Sequence, residues 1–375
     1  MQNIDDLKYR ARVRGCLLGG AIGDALGAPV EFWGSERIFA ECGPDGVTEY
    51  LPGPYGGGQK YGQITDDTQM TLFTVEGMIR ASVRTDRGIG FTVGVLHHAY
   101  DRWLDTQLLA GPDGSRDGWL IQQQWLYSQR APGNTCMSSL IDAREGGARI
   151  AKFGERTENH SKGCGGVMRS APFGLIPPRG SGSFNWQFDS AAKAASYTHG
   201  HPTAQLASGA LAVLVAAIVN AQTLDEAIAT TIEHLRTRKH HEETLSAIDQ
   251  AIAAAKSPPS MKAIEALGGG WVAEEALAIA IYATLVHPGP EDVLKALSLA
   301  VSHSGDSDST GAICGNILGA LHGESALPVE LLFELEGRGT LLELADDFIN
   351  EFTKSGQLHG DYGPYTRWNT RYPGW

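Results

Sequence analysis

Apolar residues recur three or four positions apart along most of the chain. Residues 7–23 carry Leu7, Val13, Leu17 and Ile22 at this spacing, which is typical of a helix with one buried face. Alternation with a period of two, the mark of a half-buried strand, never extends beyond a few residues. The pattern therefore predicts an all-α fold. The other predicted helices cover residues 65 to about 83, 89–109, 136–146, 224–256, 273–286 and 291–302, with a further apolar helix after residue 311.

The most apolar run covers residues 206–219 and is interrupted by Ser208 and Gly209. It is shorter than the roughly 20 residues that a helix needs to cross a bilayer. We therefore predict a buried core helix and no membrane partner. Residues 1–6 are acidic and lack the apolar stretch of a secretory signal.

Composition and charge narrow the classes of function. With 375 residues and 42% hydrophobic content, the chain can bury a large core. We expect one domain over residues 1–375, with an aromatic tail at 355–375 that packs over the surface as a lid or brace. The 30 Lys and Arg residues against 43 Asp and Glu residues leave a net charge of −13. Such a charge disfavours nonspecific binding to nucleic acid.

The five cysteines are scattered, and no two form a CxxC pair. This usage indicates neither a disulfide framework nor a zinc site. A reducing, cytoplasmic location fits it best.

Four glycines recur every fourth residue in the first predicted helix: Gly15, Gly19, Gly23 and Gly27. Glycines on one stripe allow another helix to approach closely, at a cost in helix propensity. Asp24 lies within this stripe, and we expect it to serve as a cap or as a buried hydrogen-bond acceptor.

Two acidic, hydroxyl-rich stretches each run directly into an apolar helical pattern. The first has Asp66 and Asp67 between two threonines, and the second has Asp306 and Asp308 within residues 302–311. Adjacent carboxylates repel each other, so they suit either a helix N-terminus or a hard divalent cation with oxygen ligands. Together the two stretches could build an all-oxygen cage for magnesium, calcium or manganese.

The second stretch partly matches a calcium-binding EF-hand loop. The twelfth position of that loop must be a bidentate glutamate. Here the twelfth position is Ile317, so a calcium EF-hand is rejected.

The segment Ser161-Lys162-Gly163-Cys164-Gly165-Gly166 is a second candidate binding element. Glycines let backbone N–H groups approach phosphate oxygens, and a following helix start favours anions. A tight structural turn explains the same glycines equally well, because the segment matches neither the Walker A nor the Rossmann fingerprint. A nucleophilic role for Cys164 has less support, since no cysteine-hydrolase signature surrounds it.

The histidines carry weaker signals. His199 and His201 lack the spacing of zinc ligands, so His199 is expected to hydrogen-bond the backbone or a ligand at a helix start. Residues 240–243 are predicted to lie on the solvated face of a polar helix.

Five of these motifs, taken in order, resemble the ADP-ribosylglycohydrolase family. They are residues 23–32, 65–70, 161–169, 199–202 and 305–310. The resemblance implies a compact, single-domain, orthogonal helical bundle with a two-magnesium centre, in which manganese could replace magnesium.

The resemblance also implies roles for individual residues. The implied metal ligands are Thr65, Asp66, Asp67, Asp306, Asp308 and Ser309. Glu31 follows the first motif and is implied to position or activate the attacking water, so that the catalytic set is Glu31, Asp66 and Asp308. The implied contacts to the diphosphate, the ribose and the rest of ADP-ribose are Ser161, Gly163, Cys164, Gly165 and His199. Many family members have asparagine at the position of Cys164.

The implied activity is magnesium-dependent removal of ADP-ribose from a modified protein side chain. Residues 302–310 resemble the arginine-specific branch, so the expected linkage is N-glycosidic ADP-ribosyl-arginine. The alternatives are an O-linked ADP-ribosyl-serine hydrolase, a hydrolase of small ADP-ribose conjugates, and a non-catalytic protein that binds ADP-ribose or a partner. A metal-free glycosidase would instead use two carboxylates about 5–10 Å apart, and an immunity protein against an ADP-ribosylating toxin fits the sequence less well.

Overall fold

The structure, a computed structural model, describes residues 6–53, 55, 61–90, 93–146, 154–177, 183–358 and 366–374. Most of the glycine-rich approach to Thr65 and part of the aromatic tail lie outside these ranges. Throughout the described ranges no β-strand forms, and Gly163 and Val272 make an isolated antiparallel bridge. The all-α prediction is confirmed.

The helices are α1 Asp6–Gly27, α2 Ser35–Cys42, α3 Asp66–Asp86, α4 Gly94–Leu108, α5 Asn134–Glu145, α6 Asn185–Ala195, α7 Pro202–Val219, α8 Leu224–Arg236, α9 Glu242–Ala254, α10 Met261–Glu265, α11 Ala273–Val286, α12 Val293–Val301, α13 Ser307–His322, α14 Val329–Glu334, α15 Arg338–Leu358 and α16 Arg367–Arg371. Long connections separate α2 from α3, α4 from α5 and α5 from α6, whereas most of the other helices follow one another closely.

Helices α1 and α13 pack with their backbones almost in contact. A Cβ atom built on Gly23 would lie 1.9 Å from the carbonyl oxygen of Gly311, and one built on Gly311 would lie 2.3 Å from that of Gly23. Gly19 and Gly315 oppose each other in the same way. The predicted close approach is confirmed, and its partner is the helix that begins with the second acidic stretch.

Helix α7 is the apolar helix predicted for residues 206–219, extended at its start by Pro202. It is long and apolar enough for a membrane span, but 83% of its 18 residues are buried inside the protein. It therefore occupies the position of a core helix, as predicted.

The prediction of one helix over residues 224–256 is wrong. Helices α8 and α9 are separated by a turn in which His240 has a φ of +63°. The N–H groups of Thr237 and Arg238 close this turn on the carbonyls of His234 and Leu235. No glycine or proline marks the break, and His240 lies before α9 rather than inside a polar helix.

The C-terminal residues brace the surface between α3 and α15. Tyr372 is buried and donates a hydrogen bond to Asp347 of α15. Trp368 donates to Glu351, and the carbonyl of Pro373 accepts from Arg80 of α3. The described part of the tail packs against α3 and α15 through these bonds, and it contains the short helix α16, so it is not wholly irregular.

Candidate functional site

The start of α3 is held by hydrogen bonds that leave its two aspartates facing a cavity. Thr65 caps the helix, since its Oγ1 accepts from the N–H of Asp67 at 3.2 Å. Asp24 of α1 accepts from the N–H of Thr65 at 3.0 Å and from the N–H of Thr68 at 3.1 Å. Asp24 is thus a buried acceptor, as expected, and it anchors α3 to α1.

The start of α13 carries the other acidic pair. The carboxylates of Asp306 and Asp308 both accept from the N–H of Ser309, at 3.3 and 2.9 Å. Carboxylates are favoured near helix N-termini because the free N–H groups and the helix dipole attract negative charge.

The contact between α1 and α13 brings Glu31, just beyond the end of α1, to this acidic pair. Carboxylate oxygens of Glu31, Asp306 and Asp308 lie within 4.8 Å of one another. Asp66 and Asp67 line the same cavity, which has a volume of about 200 Å³. The structure therefore brings both acidic helix starts and Glu31 to one place.

Burial and mutual repulsion perturb the acidity of this cluster. Burial, followed by the charge of Asp308, raises the pKa values of Asp66, Asp67 and Asp306 well above the ordinary range. The same two causes raise the pKa of Glu31 to about 10. Neutralising charge brought among these carboxylates would lower their pKa values.

The donor set fits hard divalent cations. Asp67 Oδ1 is buried without a hydrogen-bond partner. The ion pairs formed by lysine and arginine within the described ranges all lie elsewhere. Among the residues that the structure describes, no cationic side chain lines this cavity. Its five carboxylates and nearby hydroxyl groups match the oxygen ligands that magnesium and manganese prefer.

Two of the predicted site residues do not line the cavity. Thr65 is fully buried, but its hydroxyl lies at the carboxylate cluster, where it donates to Asp67 Oδ2 at 3.3 Å and also bonds to Asp308. Ser161 makes a 3.2 Å hydrogen bond with Thr135 and accepts from the N–H of Gly163. Ser161 therefore holds two residues of the cavity wall. The other predicted site residues line the cavity: Glu31, Asp66, Asp67, Gly163, Cys164, Gly165, His199, Asp306, Asp308 and Ser309.

The glycine segment at 161–166 forms one wall, but its glycines serve side-chain packing. A Cβ atom on Gly165 would lie 2.8 Å from Cys136 Sγ and 3.0 Å from the ring of His199. A short 3-10 turn at Cys164–Gly166 follows in place of the α-helix that would favour an anion. Lys162 bonds to Glu243 and Glu274, outside the cavity lining.

His199 lies in the cavity wall, and its lowered pKa favours the neutral imidazole. Burial, and next the charge of Arg169, lowers the pKa of His199 to about 3. Arg169 donates to the Thr198 hydroxyl, which lies 2.9 Å from His199 Nδ1. The Thr198 hydroxyl also lies 3.4 Å from the carbonyl oxygen of Ala195, to which it can donate. The Nε2 atom lies towards the wall glycines, since a Cβ on Gly163 would be 3.3 Å away.

Cys164 reaches the acidic cluster itself, with Sγ 2.7 Å from Asp306 Oδ2. Burial, and next the charge of Asp306, raises the pKa of this thiol well above its usual range. A protonated thiol is a poor nucleophile, which agrees with the low support for a nucleophilic role in the sequence.

Sequence reasoning missed an aromatic pair at the mouth of the cavity. Phe32 and Trp271 stack with their ring centroids 5.2 Å apart and are 74% and 43% exposed. Phe32 has a φ of +71°, a region that bulky residues rarely adopt and that clusters at functional sites. The one available signal was the place of Phe32 directly after Glu31 in the first motif.

Comparisons with known proteins agree with this geometry. The family model described as ADP-ribosylglycohydrolase matches residues 5–358. An uncharacterized protein of Archaeoglobus fulgidus is 29% identical over 351 residues, covering 93% of this chain and 97% of the relative. The ADP-ribosylarginine hydrolase Tri1 of Serratia proteamaculans is 24% identical over 340 residues, covering 90% of this chain and 79% of the relative.

A solved structure supports the same fold. It is described as an ADP-ribosylglycohydrolase-related protein complex and superposes with a TM-score of 0.65 at 24% identity, covering 92% of this chain and 100% of that chain. The match of the family model over nearly the whole chain carries the conclusion. The chain belongs to the ADP-ribosylglycohydrolase family.

Proposed function

We propose that this protein is a magnesium-dependent hydrolase that removes ADP-ribose from arginine side chains. The observation that carries the proposal is the carboxylate cluster of Glu31, Asp66, Asp67, Asp306 and Asp308 in the wall of one cavity. The proposed magnesium ligands are the carboxylates of Asp66, Asp67, Asp306 and Asp308 and the hydroxyls of Thr65 and Ser309. When bound, the divalent cations orient the ribose hydroxyls and make a water more acidic.

Side chains and backbone groups of the protein have the remaining catalytic and binding roles. Glu31 orients the attacking water and accepts its proton at a carboxylate oxygen. The bond from the ribose C1″ to the acceptor nitrogen breaks through an oxocarbenium-like transition state, and the water oxygen bonds to C1″. The departing neutral guanidine takes up the proton that Glu31 accepted from the water. His199 and the backbone of Gly163 and Gly165 bind the rest of ADP-ribose.

The aromatic pair favours arginine as the acceptor. A guanidinium group stacks on aromatic faces and is attracted to carboxylates. The exposed faces of Phe32 and Trp271 stand at the mouth of an acidic cavity, where an acceptor side chain would enter. The name of the Tri1 relatives, ADP-ribosylarginine hydrolase, supports the same linkage.

The test compares two linkages. Purified protein is incubated with magnesium and with a protein modified on arginine, or with one modified on serine, and free ADP-ribose is measured. We expect release from arginine at a rate at least about 100-fold above that from serine, since a site that binds a polar group can reject an analogue lacking it by this much or more.

Two results would change the proposal. Faster release from serine would keep the hydrolase and overturn the linkage. Binding of ADP-ribose without release from either substrate would overturn the enzymatic proposal and leave a binding protein.

A further inference from the structure

A second cavity, of about 310 Å³, lies at the far end of α3 and is lined by four arginine side chains, together with His98 and Asp117 among others. Arg80 and Arg84 of α3 face it, together with Arg102 of α4 and Arg116 of the following loop. About 18 residues of α3, or about 27 Å of helix, separate Arg84 from Asp66. This arginine cavity is therefore distinct from the acidic site.

Only part of this positive charge is neutralised. Arg80 pairs with Asp117 at 3.0 Å, and its Nε donates to the carbonyl of Pro373. Arg102 pairs with Glu76 at 3.4 Å. Glu76 in turn accepts from the N–H groups of Trp119 and Leu120 at 3.0 and 2.8 Å, so its charge is shared with the backbone.

Arg116 shares its two carboxylate partners with another arginine. It pairs with Asp101 at 2.8 Å and with Asp105 at 3.0 Å. Arg144 pairs with the same two carboxylates. Arg84 takes part in none of the ion pairs formed among the described residues.

Two donors in the cavity wall lack partners. The Nε atoms of Arg84 and Arg102 are buried without a hydrogen bond, and the whole Arg102 side chain is only 4% exposed. An unsatisfied buried N–H of a charged group is costly, and such groups in native proteins call for a partner. Arg84 and Arg102 therefore bring to the cavity wall donor groups that the described part of the protein does not satisfy.

The charges around Arg102 and His98 are also those expected at a site for an anion. Burial, followed by the charge of Arg80, lowers the pKa of Arg102 to about 10. Burial, followed by the charge of Arg102, also lowers the pKa of His98, which lines the same cavity. The local potential is positive although the chain as a whole carries a charge of −13.

We propose that the arginine cavity binds the phosphate or diphosphate group of a small molecule. The planar guanidinium fork pairs with phosphate oxygens through two parallel hydrogen bonds, which lysine cannot provide. The volume lies at the lower end of ordinary small-molecule sites. Helix α3 joins this cavity directly to the acidic site.

Calorimetric titration with pyrophosphate and with inorganic phosphate tests this proposal. The buffer contains EDTA, because the acidic site repels anions when no cation is bound there. The variants are Arg84→Gln, which leaves every ion pair in place, and Arg84→Lys, which keeps the charge but loses the fork. Arg10→Gln, which removes an exposed arginine from the distant start of α1, is the matched control.

We expect wild type and Arg10→Gln to bind at least one of the two anions with a dissociation constant below about 1 mM. Arg84→Gln should bind at least about tenfold more weakly, as expected for a lost hydrogen bond to a charged group, with Arg84→Lys in between. No saturable binding to wild type, or equal binding to wild type and Arg84→Gln, would overturn the proposal.

Discussion

Glu31 is the residue on which the proposed chemistry depends most. It lies beyond the end of α1 with its carboxylate beside those of Asp306 and Asp308, yet it is not part of either helix start. Nothing in its local sequence distinguishes it from a surface glutamate, and its position follows from the packing of α1 on α13.

Replacing Glu31 with glutamine should remove the proton acceptor and keep the shape of the side chain. We expect kcat for ADP-ribose release to fall by about 100-fold or more, the usual contribution of a general base. Glu36→Gln, which changes an exposed glutamate of α2, is the control and should match wild type. A Glu31→Gln enzyme with full activity would exclude Glu31 as the base.

The aromatic pair makes a separate prediction about the acceptor. Phe32→Ala should raise KM for an arginine-modified substrate by about two- to fivefold, the loss of one exposed cation–π contact, and change kcat little. Phe333→Ala removes a phenylalanine of the same exposure, 73%, from α14 and should leave KM unchanged. An unaltered KM in Phe32→Ala would remove the support that this pair lends to arginine.

Among individual residues, the sequence identified the acidic residues of the site more readily than its aromatic and other uncharged residues. The acids stood out because two acidic stretches each precede an apolar helix, whereas Trp271 lies next to the bridge that joins the distant residues Gly163 and Val272. Cys136 and His199 both pack against Gly165 because this residue lacks a side chain. Such contacts are tertiary and leave no local pattern.

At the scale of elements, the packing of α1 on α13 assembles the acidic site. Four-residue glycine spacing in both helices brings the end of α1 to the start of α13, and with it Glu31 to Asp306 and Asp308. The sequence indicated the close approach on α1 but not the partner helix.

A side chain added at the contact between α1 and α13 should therefore affect both the stability of the fold and cation binding. Gly23→Ala places a methyl group 1.9 Å from the Gly311 carbonyl oxygen, so α1 and α13 must separate. We expect the free energy of unfolding to fall by about 2 kcal/mol or more, as for an overpacked core, with weaker magnesium binding.

Chemical denaturation measures the first effect, and Gly339→Ala is the matched control. A Cβ atom on Gly339 of α15 would meet no atom within 4 Å, so this variant should be as stable as wild type or up to about 1 kcal/mol more stable. Equal stability of Gly23→Ala and Gly339→Ala would contradict the close packing.

The spacing of apolar residues predicted the positions of the helices better than it predicted their ends. Residues 273–286 coincide with α11, because Ala and Leu fill that helix on all sides. The break between α8 and α9 escaped prediction, since both helices continue the same apolar spacing and His240 adopts its positive φ without a glycine.

For the whole molecule, the acidic cluster links stability to pH and to divalent cations. Without a cation, the folded pKa values of Asp66, Asp67 and Asp306 lie above the unfolded values of about 4. Each of these groups thus contributes stability that is present below pH 4 and lost as pH rises through its folded pKa. Cation binding relieves this repulsion at neutral pH.

We accordingly expect magnesium to raise the midpoint of thermal unfolding more at pH 8 than at pH 5.5. At about 100 times its dissociation constant the rise at pH 8 should be about 5 °C. Differential scanning fluorimetry with magnesium or EDTA measures it, and Asp306→Asn should reduce it. A shift that is the same at both pH values would argue against binding by these carboxylates.

The most direct test of the proposed function is the cation dependence of hydrolysis. ADP-ribose released from an arginine-modified protein is measured for wild type with magnesium, with EDTA, and with magnesium restored after EDTA, beside an Asp308→Asn variant with magnesium. We predict release in the first and third samples and a loss of at least about 100-fold in the second and fourth, the scale expected when a cation that activates water is removed. Equal release with magnesium and with EDTA would contradict a metal-dependent hydrolase and point to catalysis by the carboxylates alone.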